Sequence, residues 1–136
     1  MNIFSRLKRA FDILTGQVDI DAFPQPENVT YQPVVAGALG SSEKAVIVQR
    51  IFEIQDWHRF HKHKDYFRWG FHWARLSYED IVNMFPWYDV ASVQEHIEGL
   101  EAIGVLISVE ADEHSKWYRA DQDLMKELVK KWEANR

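Results

Sequence analysis

Two amphipathic segments joined by a very short connection restrict the folds open to this chain. Residues 77–85 read SYEDIVNMF and residues 89–103 read DVASVQEHIEGLEAI, with Pro-Trp-Tyr between them. Ser77 and Asp80 have the spacing of a helix capping box. In the second segment Asp89 is the expected N-cap, and apolar residues recur every three or four positions, at Val90, Val93, Ile97, Leu100 and Ile103. Three connecting residues predict two helices that meet at a tight turn.

The sequence on either side of these two helices predicts further helices and strands of the same domain. Residues 41–58 predict a helix that begins after a Ser N-cap, and residues 71–76 alternate well enough for a short strand. Residues 104–120 predict a β-hairpin, and residues 121–136 a last helix. This order of elements is that of an α+β winged helix-turn-helix fold, with a three-helix core, a β-hairpin wing and a C-terminal helix.

The first forty residues have a different character. Residues 2–15 predict an amphipathic helix, and residues 17–40 contain three prolines and two glycines that favour an extended arm or linker. We therefore divide the chain into an N-terminal helical arm over residues 1–40 and a winged-helix domain over residues 41–136. We expect the helix over residues 2–15 to pack on its own domain or on a second copy, which leaves a homodimer open. Its basic residues do not fit a signal peptide, and no apolar run approaches the ~18 residues of a membrane span.

Charge is distributed unevenly along the chain. The formal net charge is −5, which argues mildly against a general nucleic-acid binder. Residues 57–75, here called the basic strip, hold five bases and one acid. Residues 76–115, here called the acidic block, hold nine acids and neither Lys nor Arg. A block of forty residues without a base is the stronger signal, because it places charge of a single sign on neighbouring elements.

The segments EKAVIVQRIFEI, LSYEDIVNMFPWYDVASVQEHIEGLEAIGVLIS and KWYRAD resemble the N-terminal winged-helix domains of phage and plasmid replication proteins, the replisome organisers and DnaD-like initiators. The resemblance covers roughly residues 42–128. It rests on the aromatic-Pro-aromatic turn Phe85-Pro86-Trp87, on Leu100 through Ile107, and on Trp117-Tyr118. It implies a winged-helix fold and a role in DNA binding, either in replication initiation or in transcription regulation.

The helix that such domains lay on DNA is acidic in this chain. A helix in the major groove lies between two rows of phosphates, which repel carboxylates. We therefore expect the outer face of this helix and the hairpin tip to bind a protein with a basic surface. A partner whose basic surface normally holds nucleic acid would make the chain a DNA-mimicking inhibitor. The expected contact residues are Asp89, Gln94, Glu95, Glu98, Glu101, Asp112 and Glu113. A merely solvated acidic face is the alternative.

The basic strip is the second candidate surface, because aromatic residues alternate there with bases and histidines. Aromatic rings can stack on the bases of single-stranded nucleic acid, and basic side chains can neutralise its phosphates. Two alternatives are that its aromatics fill the core, and that it meets the acidic block of a second copy. If the protein binds DNA, the expected contacts are Arg59, Lys62, Lys64, Arg68 and Arg75.

Motifs for catalysis or cofactor binding are not found in the sequence. There is no cysteine, which excludes disulfides and thiolate chemistry and fits a cytoplasmic protein. There is no phosphate-binding glycine loop and no nucleophile motif. The spacing of His58, His61 and His63 is not that of a standard zinc site. We therefore expect a protein without enzymatic activity, cofactor or metal that works by binding a macromolecule.

Overall fold

A computed structural model of the chain describes residues 30–136. The expected helix over residues 2–15 and the first part of the arm lie outside the described residues. Over the described range the fold is mixed α+β. It has five α-helices, which are α1 (Pro33–Leu39), α2 (Ser42–Phe60), α3 (Tyr78–Met84), α4 (Val90–Ala102) and α5 (Gln122–Ala134). A short 3₁₀ turn, Lys64–Tyr66, follows α2.

Side-chain caps set the start of three helices, of which the sequence predicted the first two. The Ser41 hydroxyl accepts a hydrogen bond from the backbone N–H of Lys44 at 3.1 Å. Ser77 and Asp80 form a complete capping box at the start of α3. Asp121 accepts from the N–H of Leu124 at the start of α5. Each cap satisfies a backbone donor that has no partner within its helix.

The strands form two small antiparallel sheets. They are β1 (Phe67–Arg68), β2 (Phe71–His72), β3 (Ala74–Ser77), β4 (Leu106–Glu110) and β5 (Ser115–Ala120). The first sheet is the β1–β2 hairpin, and the second has the order β3-β5-β4. The predicted strand over residues 71–76 is thus divided at Trp73, whose backbone N–H bonds to the carbonyl of Tyr66 at 2.9 Å.

The core lies between α2, α3, α4 and the three-stranded sheet. Its largest fully buried side chains are Phe85, Ile47, Ile51, Leu100, Leu106 and Val105. Two residues predicted for the buried face of α4 are exposed, Val90 by 37% and Ile103 by 53%. Val90 is the first residue of α4, and Ile103 is its C-cap. Both lie at helix ends, beyond the part of α4 that the sheet and α2 cover.

Helix α1 replaces the end of the predicted extended arm. Pro33 occupies its first turn, and Gly40 ends it in the left-handed conformation with φ of 70°. Proline and glycine punctuate a helix at these two positions, although we interpreted them as signs of a linker. The helix packs on α2 and α5. Gly37 permits this approach, because a Cβ there would lie 2.2 Å from Cζ2 of Trp132.

Alanine at Gly37 should therefore detach α1 from α5. We expect Gly37→Ala to lower the free energy of unfolding by about 1–3 kcal/mol, because the added methyl group overlaps a packed indole ring. Urea unfolding measures the loss. Gly37→Ala combined with Trp132→Ala should recover part of it, and additive losses in the double variant would contradict the contact.

Candidate functional site

An acidic groove lies between helix α4 and the β4–β5 hairpin, with a volume of about 500 Å³. Apolar side chains form its floor, among them Leu76, Ile81, Val93, Ile97 and Tyr118. Five carboxylates line it, from Glu98 and Glu101 on α4 and from Glu110, Asp112 and Glu113 on the hairpin. Lys116 is the one Lys or Arg in this lining. Tertiary packing thus brings carboxylates from the middle and from the C-terminal part of the acidic block together around one concavity.

The groove brings together five of the seven predicted partner-binding residues. They are Gln94, Glu98, Glu101, Asp112 and Glu113. The first three lie at helical spacings of four and three, and so share one side of α4. Glu95 is exposed but does not line the groove, since it projects about a quarter turn away around the helix.

Asp89 also lies outside the groove. It is the N-cap of α4, as predicted, but its side chain makes no capping hydrogen bond. Glu110, which the sequence placed in the acidic block but not among the individually named contacts, also lines the groove. The exposed apolar residues Tyr78 and Val90 at the groove were not predicted as part of the site. An apolar residue at the first position of a helix was the available signal for Val90.

The hairpin turn is organised around the Asp112 carboxylate. Its Oδ1 atom accepts hydrogen bonds from the N–H groups of His114 at 2.7 Å and Ser115 at 2.8 Å. The Ser115 hydroxyl donates to the same oxygen at 3.0 Å. Oδ2 accepts from the Arg75 guanidinium at 2.6 Å. The His114 N–H, then the Ser115 hydroxyl and Arg75, lower the pKa of Asp112 to about 2, so the turn keeps its negative charge.

This pKa predicts how the hairpin turn responds to acid. A carboxyl group with a depressed pKa stabilises the fold above its unfolded pKa and loses that contribution as the pH falls through the folded value. For Asp112 the window extends from 3.8 down to about 2. Carboxyl NMR should show Asp112 titrating near the lower limit. Ser115→Ala and Arg75→Gln should each raise its pKa, and an unchanged pKa in both variants would contradict the assignment.

Tyr118 lies in the floor of the acidic groove and stays neutral. Burial, with a smaller contribution from the negative charge of Glu101, raises the pKa of its phenol to about 12. The floor therefore adds no further negative charge to the carboxylates above it. The groove accordingly presents an apolar floor and an anionic rim to a binding partner.

The basic strip is divided between two other concavities. Lys62, Lys64, Arg68 and Arg75 line an open groove of about 670 Å³ together with Trp117. Arg59 lines a separate cavity and forms an ion pair with Asp56 on its own helix. The five predicted nucleic-acid contacts are therefore not one continuous set, and Arg75 is already engaged by Asp112 of the hairpin turn.

The histidines of the basic strip pack against one another and against aromatic rings. The Nδ1 atoms of His58 and His63 lie 2.9 Å apart, and the His58 ring stacks on Tyr66 with centroids 3.6 Å apart. The rings of His61 and His63 are stacked at 5.4 Å. Over residues 30–136 there is no group of three or more His, Cys, Asp or Glu residues that could hold a metal ion.

Comparison with known protein families, with curated proteins and with solved structures gives no match for this chain. Among the helices of residues 30–136, none combines the length and the apolar character needed to cross a bilayer. The acidic groove and the surfaces around it therefore carry the evidence for function.

Proposed function

We propose that this chain is a non-enzymatic winged helix-turn-helix protein of the phage or mobile-element type. In this proposal α3 and α4 are the helix-turn-helix, and the β4–β5 hairpin is the wing. The proposal is supported by the order of the elements and by the β3-β5-β4 sheet, in which the strand before α3 pairs with the returning strand of the hairpin. The function then depends on what the surface of α4 and the hairpin binds.

We further propose that the acidic groove binds a protein partner with a basic surface. One observation carries this proposal: carboxylates from two separate elements surround one apolar floor. A solvated acidic face would need no such floor. Basic side chains of a partner can pair with the rim while an apolar group covers the floor, and complementary charge speeds association.

The same charges disfavour DNA in this groove. Duplex affinity depends on cations placed near phosphates, whereas five carboxylates and one lysine face the groove. If the basic surface of the partner normally holds nucleic acid, the chain acts as a DNA mimic and inhibitor. Duplex DNA should then compete with the chain for that partner.

The Ser115 hydroxyl in the lining of the groove is not activated as a nucleophile. The Ser115 hydroxyl donates to Asp112, whose low pKa makes that carboxylate too weak a base to activate it. The chemistry of this site thus favours binding over catalysis.

Affinity capture from the host cell, with quantitative mass spectrometry, tests the protein-binding proposal. The wild-type chain should enrich a basic protein that a groove variant carrying lysine at Glu98, Glu101 and Glu113 does not enrich. Binding of the purified partner should weaken as salt rises. A partner that binds both chains equally would contradict a role for the groove.

A further inference from the structure

The tip of the β1–β2 hairpin carries an exposed tryptophan in a strained conformation. Trp69 and Gly70 have φ angles of 51° and 85°, the two positive values of a type I′ turn, which favours Asn-Gly. A bulky residue in the left-handed region is uncommon and strained. Trp69 is 63% exposed, so little burial offsets this strain.

Trp73 holds this tip in place through a hydrogen bond and a ring contact. The indole N–H of Trp73 donates to the carbonyl of Arg68 at 2.8 Å. The Trp69 and Trp73 rings meet edge to face, with centroids 5.5 Å apart and planes at 81°. Because Trp73 is buried, the exposed Trp69 ring is oriented by a rigid neighbour, as a preformed contact surface requires.

Further aromatic rings and cations surround the tip. Phe67 and Phe71 are exposed on the two strands, and the Arg119 guanidinium lies over the Phe71 ring at 3.9 Å. Lys62, Lys64 and Arg68 are exposed beside the hairpin. Asp65 is the one carboxylate in the lining of the groove that holds Lys62, Lys64 and Arg68, and residues 66–78 contain no Asp or Glu. Flat apolar rings therefore lie close to positive charge at this hairpin.

We propose that the β1–β2 hairpin, with Lys62, Lys64 and Arg68, binds single-stranded nucleic acid. Unpaired bases expose ring faces that can stack on Trp69 and on Phe71, which shares its face of the hairpin with the paired Arg68, and the adjacent phosphates need the cations that flank these rings. A duplex hides its base faces and so cannot use the exposed rings in this way. The proposal does not depend on the acidic groove, which involves other elements of the fold.

Fluorescence anisotropy with labelled oligo(dT) of about 16 nucleotides tests this proposal in the full chain. Trp69→Asn should weaken binding about tenfold, since one base–aromatic stack contributes about 1–3 kcal/mol. Asparagine suits the turn, so the midpoint of thermal unfolding should stay the same or rise. Trp87→Ala, at another exposed tryptophan in the α3–α4 connection, should leave oligo(dT) binding unchanged.

The contribution of the cations can be measured separately, from the salt dependence of oligo(dT) binding. Glutamine at Lys62, Lys64 and Arg68 should reduce the slope of affinity against salt between about 50 and 200 mM, because fewer counterions are released. Four results would overturn the proposal: no binding of oligo(dT); unchanged binding by Trp69→Asn; equal affinity for a duplex of the same length; or equal competition by polyglutamate. Loss of self-association in the Trp69→Asn variant, measured by sedimentation without any change in oligo(dT) binding, would assign the hairpin to a second copy of the chain instead.

Discussion

Lysine in place of Glu98, Glu101 and Glu113 is expected to weaken binding of the captured partner by about 100-fold, since like charges facing each other cost several kcal/mol. The three side chains line the acidic groove from both sides, Glu98 and Glu101 from α4 and Glu113 from the hairpin. Isothermal titration calorimetry with the purified partner measures the loss. The association rate should fall as well, because attraction between unlike charges becomes repulsion.

A variant with the same change in net charge separates the groove from the overall electrostatics. Glu95, Glu127 and Glu133 are exposed and lie outside the lining of the groove. Lysine at these three positions should preserve most of the affinity. Equal losses in the two variants would mean that the partner responds only to total charge, which would contradict a specific role for the groove.

Measuring the affinity of the groove variant for duplex DNA tests the winged-helix proposal. If α4 and the β4–β5 hairpin have the shape of a DNA-reading surface, the three lysines should create an affinity for duplex DNA that falls steeply with salt. Gain of DNA binding in the groove variant, but not in its control, would support the winged-helix proposal. Equal gain in both variants would show only the effect of added positive charge.

Removal of the Phe85 ring is expected to lower the free energy of unfolding by about 3–5 kcal/mol. Phe85 is 1% exposed and is among the largest fully buried side chains. It ends α3 and stacks on Tyr88 with ring centroids 6.1 Å apart. Phe85→Ala therefore leaves a cavity where α3 turns into α4, and urea unfolding followed by circular dichroism measures the effect.

Trp87 supplies the matched control for Phe85. It belongs to the same turn but is 52% exposed, so Trp87→Ala should change the stability by about 0.5 kcal/mol or less. Comparable losses at the two positions would show that both rings hold the turn. That result would contradict the prediction that only the buried Phe85 ring contributes strongly to stability.

Local signals predicted most of the secondary structure correctly. Ser41, Ser77 and Asp121 act as helix caps because capping involves only neighbouring residues. The left-handed Gly104 lies directly after the Ile103 C-cap of α4, a local signal that only neighbouring residues determine. Helix α1 was missed because its Pro33 and Gly40 are equally common in linkers. What decides between helix and linker there is packing on α5, which lies far along the chain.

The candidate site was only partly predictable. The sequence identified the acidic block and its position on a helix and a hairpin. It did not separate Glu98 from Glu95, because the orientation of α4 depends on which of its sides the sheet covers. Nor did it predict that Arg75 of the basic strip would pair with Asp112 of the acidic block, since antiparallel pairing of β3 with β5 creates that contact.

The sequence by itself determined the starts of α2 to α5, the β4–β5 hairpin and the uneven charge, because caps, turns and hydrophobic periods act over a few residues. Only the tertiary structure decided which carboxylates meet over an apolar floor and which aromatics stay exposed. Trp73 is buried and Trp69 is exposed, although both lie among similar neighbours. The physical reason is that burial is set by contacts between segments distant in sequence, and these contacts orient each helix and strand as a unit.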